Sequence, residues 1–182
     1  RRSSDLHIAG LPETVVELGS GVGANLRYLT TGTRLIAIEP NRYMHARLQR
    51  AAARRGVDLE IRDVVAERID LPDASADALI SSLVLCTVAD PAAVLAEVRR
   101  VLRPGGRFSF AEHVVAKKRT PTRWVQRAVR GPWAWVFEGC SCERDLASAI
   151  ESAGFASVDL KRYRIHSPFL PFNTQIAGTA IA

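Results

Sequence analysis

The densest chemistry in the chain lies in one run, Glu17-Leu18-Gly19-Ser20-Gly21-Val22-Gly23-Ala24-Asn25. Glycines permit positive φ and let backbone approach a ligand closely. A helix after such a loop would add its free N-terminal N–H groups. A loop of this kind, following a strand, suits a nucleotide-like molecule bound at the strand's carboxyl end. Two ligands compete for it. Gly19-x-Gly21-x-x-Ala24 fits the relaxed dinucleotide fingerprint, which would mean NAD(P) and an oxidoreductase, or a non-catalytic nucleotide-binding module. Glu17-x-Gly19-x-Gly21-x-Gly23 fits the acid-preceded loop that binds S-adenosylmethionine (SAM). The acid separates them, because a pyrophosphate is anionic whereas SAM has no phosphate and carries a free ammonium. Glu17 favours SAM.

Glu39 stands 20 residues after Gly19, at the end of the next strand-like run, followed by Pro40. A carboxylate there can accept both ribose hydroxyls, of NAD or of SAM alike. Met44, beyond it, is placed to pack on an adenine. Methyl transfer from SAM is an in-line displacement at a carbon already activated by positive sulfur, so the protein mainly positions and desolvates. A nucleophile bearing N–H or S–H must also lose its proton. His113 is the candidate base, since an unperturbed pKa of about 6.5 suits that task near neutrality. Glu112 alternates to the other face of its strand and reads as structural. Cys86 is a candidate pocket residue. Trp124 and Trp135, in a Trp-rich stretch, are candidates for a lid over an apolar substrate. Cys140-Ser141-Cys142 has neither a second pair nor a neighbouring His in sequence, so no metal site is expected.

These residues need elements to hold them. Short β-rich runs alternate with helical patterns, which implies βαβ units and a mainly parallel sheet. Strands are expected at Thr14–Leu18, Arg34–Glu39, within Val57–Val65, at Asp77–Ser82 and at Arg107–Val115. Helices are expected at Val22–Thr30, from Asn41 as N-cap to about Arg55, from Asp90-Pro91 to Leu102, at Pro121–Phe137 and at Glu143–Ala153. Arg103-Pro104-Gly105-Gly106 reads as a turn. Ser157–Ile165 and Thr174–Ala182 read as two final strands with no helix between, hence antiparallel. The expectation is one doubly wound, Rossmann-like α/β domain over residues 1–182. It has about seven strands and a C-terminal antiparallel hairpin, and residues 117–142 form a lid or substrate-side insertion.

Four runs in order resemble the class I SAM-dependent methyltransferases of the ubiquinone-methyltransferase type: Val15–Asn25, Ile36–Asn41, Leu71–Asp77 and Val98–Gly106. Three more, Ser82–Val88, Glu112–Val114 and Phe137–Cys140, resemble the alkyl thiol methyltransferases. Bacterial phospholipid N-methyltransferases share a related pattern. The resemblance implies SAM as methyl donor and S-adenosylhomocysteine as product. Glu17, Gly19, Ser20, Gly21, Gly23, Asn25, Glu39, Pro40 and Met44, with Ser82 and Leu83 after the fourth strand, would bind it. It further implies a small, mostly apolar acceptor, a thiol before an amine or phenol, held by Cys86, His113, Trp124 and Trp135. One position departs from the family: Val65 stands where members carry the Asp that bonds the adenine. Adenine is then expected on backbone N–H near Val65 and Ala66, with Asp63 or Glu67 as substitutes. Only 13 residues precede the first strand, where members carry covering helices and the thiol methyltransferases an anchoring segment, so a short or missing cap is expected.

The composition bounds the rest. The 182 residues fit one domain, and 47% hydrophobic with 24% charged residues is ordinary for a globular protein. The net charge of +6, with Arg far in excess of Lys, favours anionic partners but is too diffuse to argue for nucleic acid. No run approaches the roughly 18 apolar residues of a membrane span. Three cysteines make no disulfide framework, which suggests a cytoplasmic chain. Arg123, Arg127 and Arg130 share one helical face, giving a possible peripheral membrane contact.

Overall fold

The computed structural model describes residues 10–137 and 139–182; the expectation of a short or missing N-terminal cap bears on residues 1–13, of which 1–9 lie outside the described residues. A seven-stranded sheet runs through the molecule in the order β3-β2-β1-β4-β5-β7-β6. Its strands are β1 (Thr14–Leu18), β2 (Arg34–Ile38), β3 (Asp58–Arg62), β4 (Ala76–Ser82), β5 (Leu102–His113), β6 (Ser157–Arg164) and β7 (Thr174–Ile181). The first five are parallel, and β7 lies antiparallel between β5 and β6. This is the expected doubly wound plan with its terminal hairpin. The strand order reverses between β1 and β4, and a crevice opens there at the carboxyl ends of both.

Alternation along each strand builds two cores. Val16 and Leu18 of β1, Leu79 of β4, and Phe108 and Phe110 of β5 face one side. They pack there against Val94, Leu95 and Val98 of α2 (Pro91–Val101) and Leu146 and Ile150 of α4 (Leu146–Glu151). Val15, Leu35, Ala37 and Ile80 face the other, against Leu48 and Ala52 of α1 (Arg42–Arg55). The helix starts follow local chemistry. Asn41 accepts from Tyr43 N–H, and Asp90 accepts from Ala92 and Ala93 N–H, each satisfying donors with no intrahelical partner. Gly56 closes α1 at φ +64°.

Three expectations shift. Val22–Thr30 forms only a short 3-10 helix, Ala24–Tyr28, entered from Gly23 at φ +87°. Arg103–Gly106 is not a turn before β5 but part of it: Gly105 N–H bonds the carbonyl of Ala182, so this run continues the ladder past an irregularity opposite Ala76 and Ala78. The helix expected over Glu143–Ala153 shortens to α4, capped by Asp145. In β7, Gly178 is obligatory. A Cβ there would lie 2.2 Å from the carbonyl oxygen of Asp159 and 2.9 Å from the Phe110 ring.

Candidate active site

The glycine loop is shaped by packing on one side and openness on the other. Gly19, Gly21 and Gly23 all have positive φ. A Cβ on Gly19 would stand 2.6 Å from Val84 Cγ2, so this glycine lets the loop after β1 close onto the loop after β4. A Cβ on Gly21 would meet nothing nearer than 4.0 Å, which leaves that stretch of backbone free to face a ligand. Glu39, buried at the end of β2, accepts Gly21 N–H on Oε2 at 2.7 Å and Asn41 N–H on Oε1 at 2.9 Å. It therefore ties the loop to the start of α1 and keeps two further acceptor sites for ribose hydroxyls.

Glu17 is buried, and its Oε1 accepts from Asn25 Nδ2 at 2.7 Å. Its Oε2 has no partner, and neither has the buried Ser20 hydroxyl. Burial pushes the Glu17 carboxyl above its ordinary range, against the opposing pull of the Asn25 hydrogen bond. A buried carboxylate oxygen without a donor is costly, and the ammonium of SAM is a donor of the right charge. Met44 is half-buried and Pro40 exposed at the rim. Val65 is exposed and lines a second hollow with Val64, Arg68, Ile69 and Asp70, while Ala66 is buried. The two acids offered as adenine partners are engaged elsewhere. Asp63 pairs with Arg42, and Glu67 accepts Ala89 N–H at 2.8 Å and Asp90 N–H at 3.3 Å.

Beyond the loop after β4 lies a cavity of about 440 Å³ lined by Leu83, Cys86, Thr87, His113, Trp133, Val136, Phe137, Cys140, Phe169 and Phe172. Leu83 reaches it from φ +62°, a strained conformation for a branched side chain. Glu112, on the opposite face of β5 from His113, holds the same loop. Its Oε1 accepts from Ser81 Oγ, Val84 N–H and Leu85 N–H. That is the structural part expected of it. His113 faces the cavity and lies with Nε2 2.7 Å from Cys140 Sγ, and Cys140 Sγ is 3.6 Å from Cys86 Sγ. The hydrogen bond it shares with the Cys86 thiol, together with the His113 ring, pulls Cys140 below the ordinary thiol range against its burial. Cys86 moves the opposite way, pushed up by the same hydrogen bond and by burial. Cys142 is separate: its Sγ meets the Gln126 carbonyl at 3.5 Å, and burial pushes it up to about 11.

Two expected substrate residues stand elsewhere. Trp124 and Trp135 are 75% and 87% exposed, while Trp133, only 8% exposed, forms the cavity wall. The reason is helical phase. The buried stripe of α3 (Pro121–Val136) runs Thr122, Gln126, Val129, Trp133, which turns Trp124 and Trp135 outward. Gln126 is what obscured the stripe. It is fully buried because it bonds Ala116 N–H and the carbonyls of Val114 and Pro171, replacing the apolar residue that periodicity looks for. Cys140 was missed as well: 27 residues separate it from His113 and 54 from Cys86, so only the fold joins them. The basic face is partly neutralised. Arg123 pairs with Glu143, and Arg130 lies 3.9 Å from the same carboxylate.

Comparison with known proteins agrees with this geometry. A family model described as a methyltransferase domain matches residues 16–110. The human protein thiol S-methyltransferase TMT1B is 35% identical over 171 residues, covering 92% of this chain and 70% of that protein. Phosphatidylethanolamine N-methyltransferase of Cereibacter sphaeroides is 27% identical over 131 residues, 71% of this chain and 64% of that one. A Thermotoga maritima SAM-dependent methyltransferase, described as a possible histamine N-methyltransferase, superposes with a TM-score of 0.70 at 18% identity, covering 98% of this chain and 87% of that one. A switch-point crevice with an acid-preceded glycine loop defines a class I methyltransferase, with SAM as donor. The chain belongs to the methyltransferase-domain family, among relatives that include the thiol S-methyltransferases.

Proposed function

We propose that the enzyme methylates small, mostly apolar thiols. The observation that carries this reading is the cavity wall. Leu83, Trp133, Val136, Phe137, Phe169 and Phe172 supply an apolar surround, and among the described residues no lining residue is Asp, Glu, Lys or Arg. The polar side-chain groups in the lining are those of Thr87, His113, Cys86 and Cys140 and the indole N–H of Trp133. Among the described lining residues a charged amine meets no carboxylate. A thiol needs little, since with a pKa of about 8.5 a few per cent is already thiolate at neutrality. His113 acts together with Cys140 rather than as an isolated base, because Nε2 faces Cys140 Sγ at 2.7 Å. The 35% identity to a thiol S-methyltransferase supports the same acceptor. SAM lies on the Glu17–Gly23 loop and Glu39, with its methyl directed past Leu83. Residues 117–142 act as the lid, with Trp133 its inner surface.

Turnover of SAM against an alkyl thiol, an amine, a phenol and phosphatidylethanolamine vesicles tests the assignment. The thiol is expected to react fastest, with a rate rising with pH as thiolate accumulates. Reaction with the amine or the phospholipid alone would show the acceptor to be wrong. The exposed Trp124 and Trp135, with Arg127 beside them, also suit a peripheral contact with an anionic membrane surface. Vesicle co-sedimentation that persists after Trp124→Ala and Trp135→Ala would remove that part. Among the described residues no helix is long and apolar enough to cross a membrane.

A further inference from the structure

The cavity holds a ligand set that the methyl-transfer reading uses only in part. Cys86 Sγ, His113 Nε2 and Cys140 Sγ lie within 4.8 Å of one another, and all three residues are buried. Two sulfurs and one imidazole match the Cys₂His set of catalytic zinc sites, which take three protein ligands and leave a fourth position open. The observed Sγ–Sγ distance of 3.6 Å is close to the ~3.8 Å edge that two zinc–sulfur bonds of about 2.3 Å make at a tetrahedral angle. The Sγ–Nε2 distance of 2.7 Å must open by about 0.8 Å, which a side-chain rotation of Cys140 supplies.

The three carriers are clamped before any ion arrives. Ser141 N–H bonds the Cys86 carbonyl at 2.8 Å, and Arg144 Nη1 bonds the Leu85 carbonyl at 2.7 Å. Val115 N–H bonds the Arg144 carbonyl at 3.0 Å, fastening the same loop to the end of β5. The His113 ring has no partner at Nδ1 and is held by packing on Trp133 and Phe172. Among the described residues no fourth side chain joins the set. Cys142 is turned to Gln126, and Glu112 points to the other face of the sheet. The open position faces the cavity.

We infer that Cys86, His113 and Cys140 bind one zinc-class divalent ion whose fourth ligand is the acceptor thiol, an inference that rests on the thiol reading above. The ion is held by the deprotonated sulfurs of Cys86 and Cys140, whose thiol protons go to solvent. A substrate R–SH then binds as R–S⁻ and gives its own proton to solvent. The thiolate sulfur attacks the SAM methyl carbon, the new sulfur–carbon bond forms as the sulfonium–carbon bond breaks, and R–S–CH₃ and S-adenosylhomocysteine leave. No electrons are exchanged with the ion. A neutral thioether is a poorer ligand than a thiolate, so the product is released and the position reopens.

The test is a cobalt(II) titration of the reduced, chelator-stripped protein under anaerobic conditions, with metal analysis of the untreated protein alongside. One equivalent per chain is expected, with a thiolate-to-cobalt charge-transfer band and the intense visible absorption of four-coordinate cobalt. Cys86→Ser and Cys140→Ser should each weaken cobalt by more than about 100-fold, the upper end of what outer-shell changes alone cost. Cys142→Ser should bind as the parent does, and circular dichroism and SAM binding confirm that each variant is folded. Adding an alkyl thiol to the parent–cobalt complex should shift the visible bands. Absence of the charge-transfer band, or equal loss in Cys142→Ser, overturns the site. Bands unmoved by thiol overturn the open position. Full thiol turnover by stripped protein overturns the metal's part in the reaction and leaves thiol methylation standing. Failure to methylate any thiol with or without metal sinks thiol methylation, while the cobalt spectrum still judges the site.

Discussion

Replacing Glu39 by Ala isolates the ribose seat from the rest of the cofactor site. The carboxylate now accepts Gly21 N–H and Asn41 N–H, one on each oxygen, and retains an acceptor site on each for a ribose hydroxyl. A hydrogen bond to a charged group contributes about 1.5–3 kcal/mol. Two such bonds to the ribose vanish in Glu39→Ala. The hydroxyls and the two freed N–H groups gain water in partial exchange, so a net loss near one bond's worth is expected. That corresponds to roughly 10- to 150-fold in Kd. Calorimetric titration with SAM and with S-adenosylhomocysteine measures it, and circular dichroism checks the fold, which should survive because Glu39 ends a strand. An S-adenosylhomocysteine analogue lacking both ribose hydroxyls closes the cycle. It should bind the parent less tightly than S-adenosylhomocysteine itself and lose nothing further in the variant. Unchanged SAM affinity in folded Glu39→Ala, or the same analogue penalty in both proteins, would place the ribose elsewhere and refute the reasoning.

Glu17→Gln should weaken SAM while raising stability at neutral pH, because burial raises the Glu17 pKa from 4.5 and makes its ionised form a cost of folding. The sign follows: that cost is absent below 4.5 and grows as pH rises from there to the folded-state value, so urea midpoints of parent and variant should diverge across that interval; parallel profiles would contradict it. Gly19→Ala should destabilise more than Gly21→Ala in urea. Both meet the left-handed penalty of about 1–2 kcal/mol, but only the first drives a methyl to 2.6 Å from Val84; equal losses would show the loops are not in contact. Trp133→Ala should lower stability by about 3–5 kcal/mol and raise KM for apolar thiols. Trp135→Ala, on an exposed position, should stay within about 0.5 kcal/mol of the parent, and a KM effect from Trp135 alone would reverse the assignment of the wall.

The sheet was legible because burial on both faces writes continuous apolar runs such as Leu35–Ile38, with Pro40 and Asn41 just beyond. The cofactor loop was legible because its marks, an acid before three spaced glycines and a second acid after the next strand, are all local in sequence. The acceptor cavity was not, since its wall is assembled from β4, β5, α3 and the loops after them. Periodicity found α3 but misjudged its phase, because hydrogen bonds rather than apolar contact bury Gln126. The thiol pair was hidden for a different reason: loop closure between Cys86 and Cys140 is set by Ser141 N–H and Arg144 reaching the 85–86 carbonyls, contacts that no spacing rule encodes.

The placement of β7 between β5 and β6 orders events during synthesis. β6 leaves the ribosome first, when the free edge of β5 is already available, yet that slot belongs to a strand not yet made. Two features keep β6 from occupying it. Asp159, Lys161, Arg162 and Arg164 would be carried into the middle of a sheet, whereas β7 brings Ile176, Ala177 and Ala180. Gly178 also gives β7 the flat point that Phe110 on one side and Asp159 backbone on the other require. The β5 edge therefore waits exposed until residues 174–181 arrive, an unpaired strand edge of the kind that templates pairing with other chains.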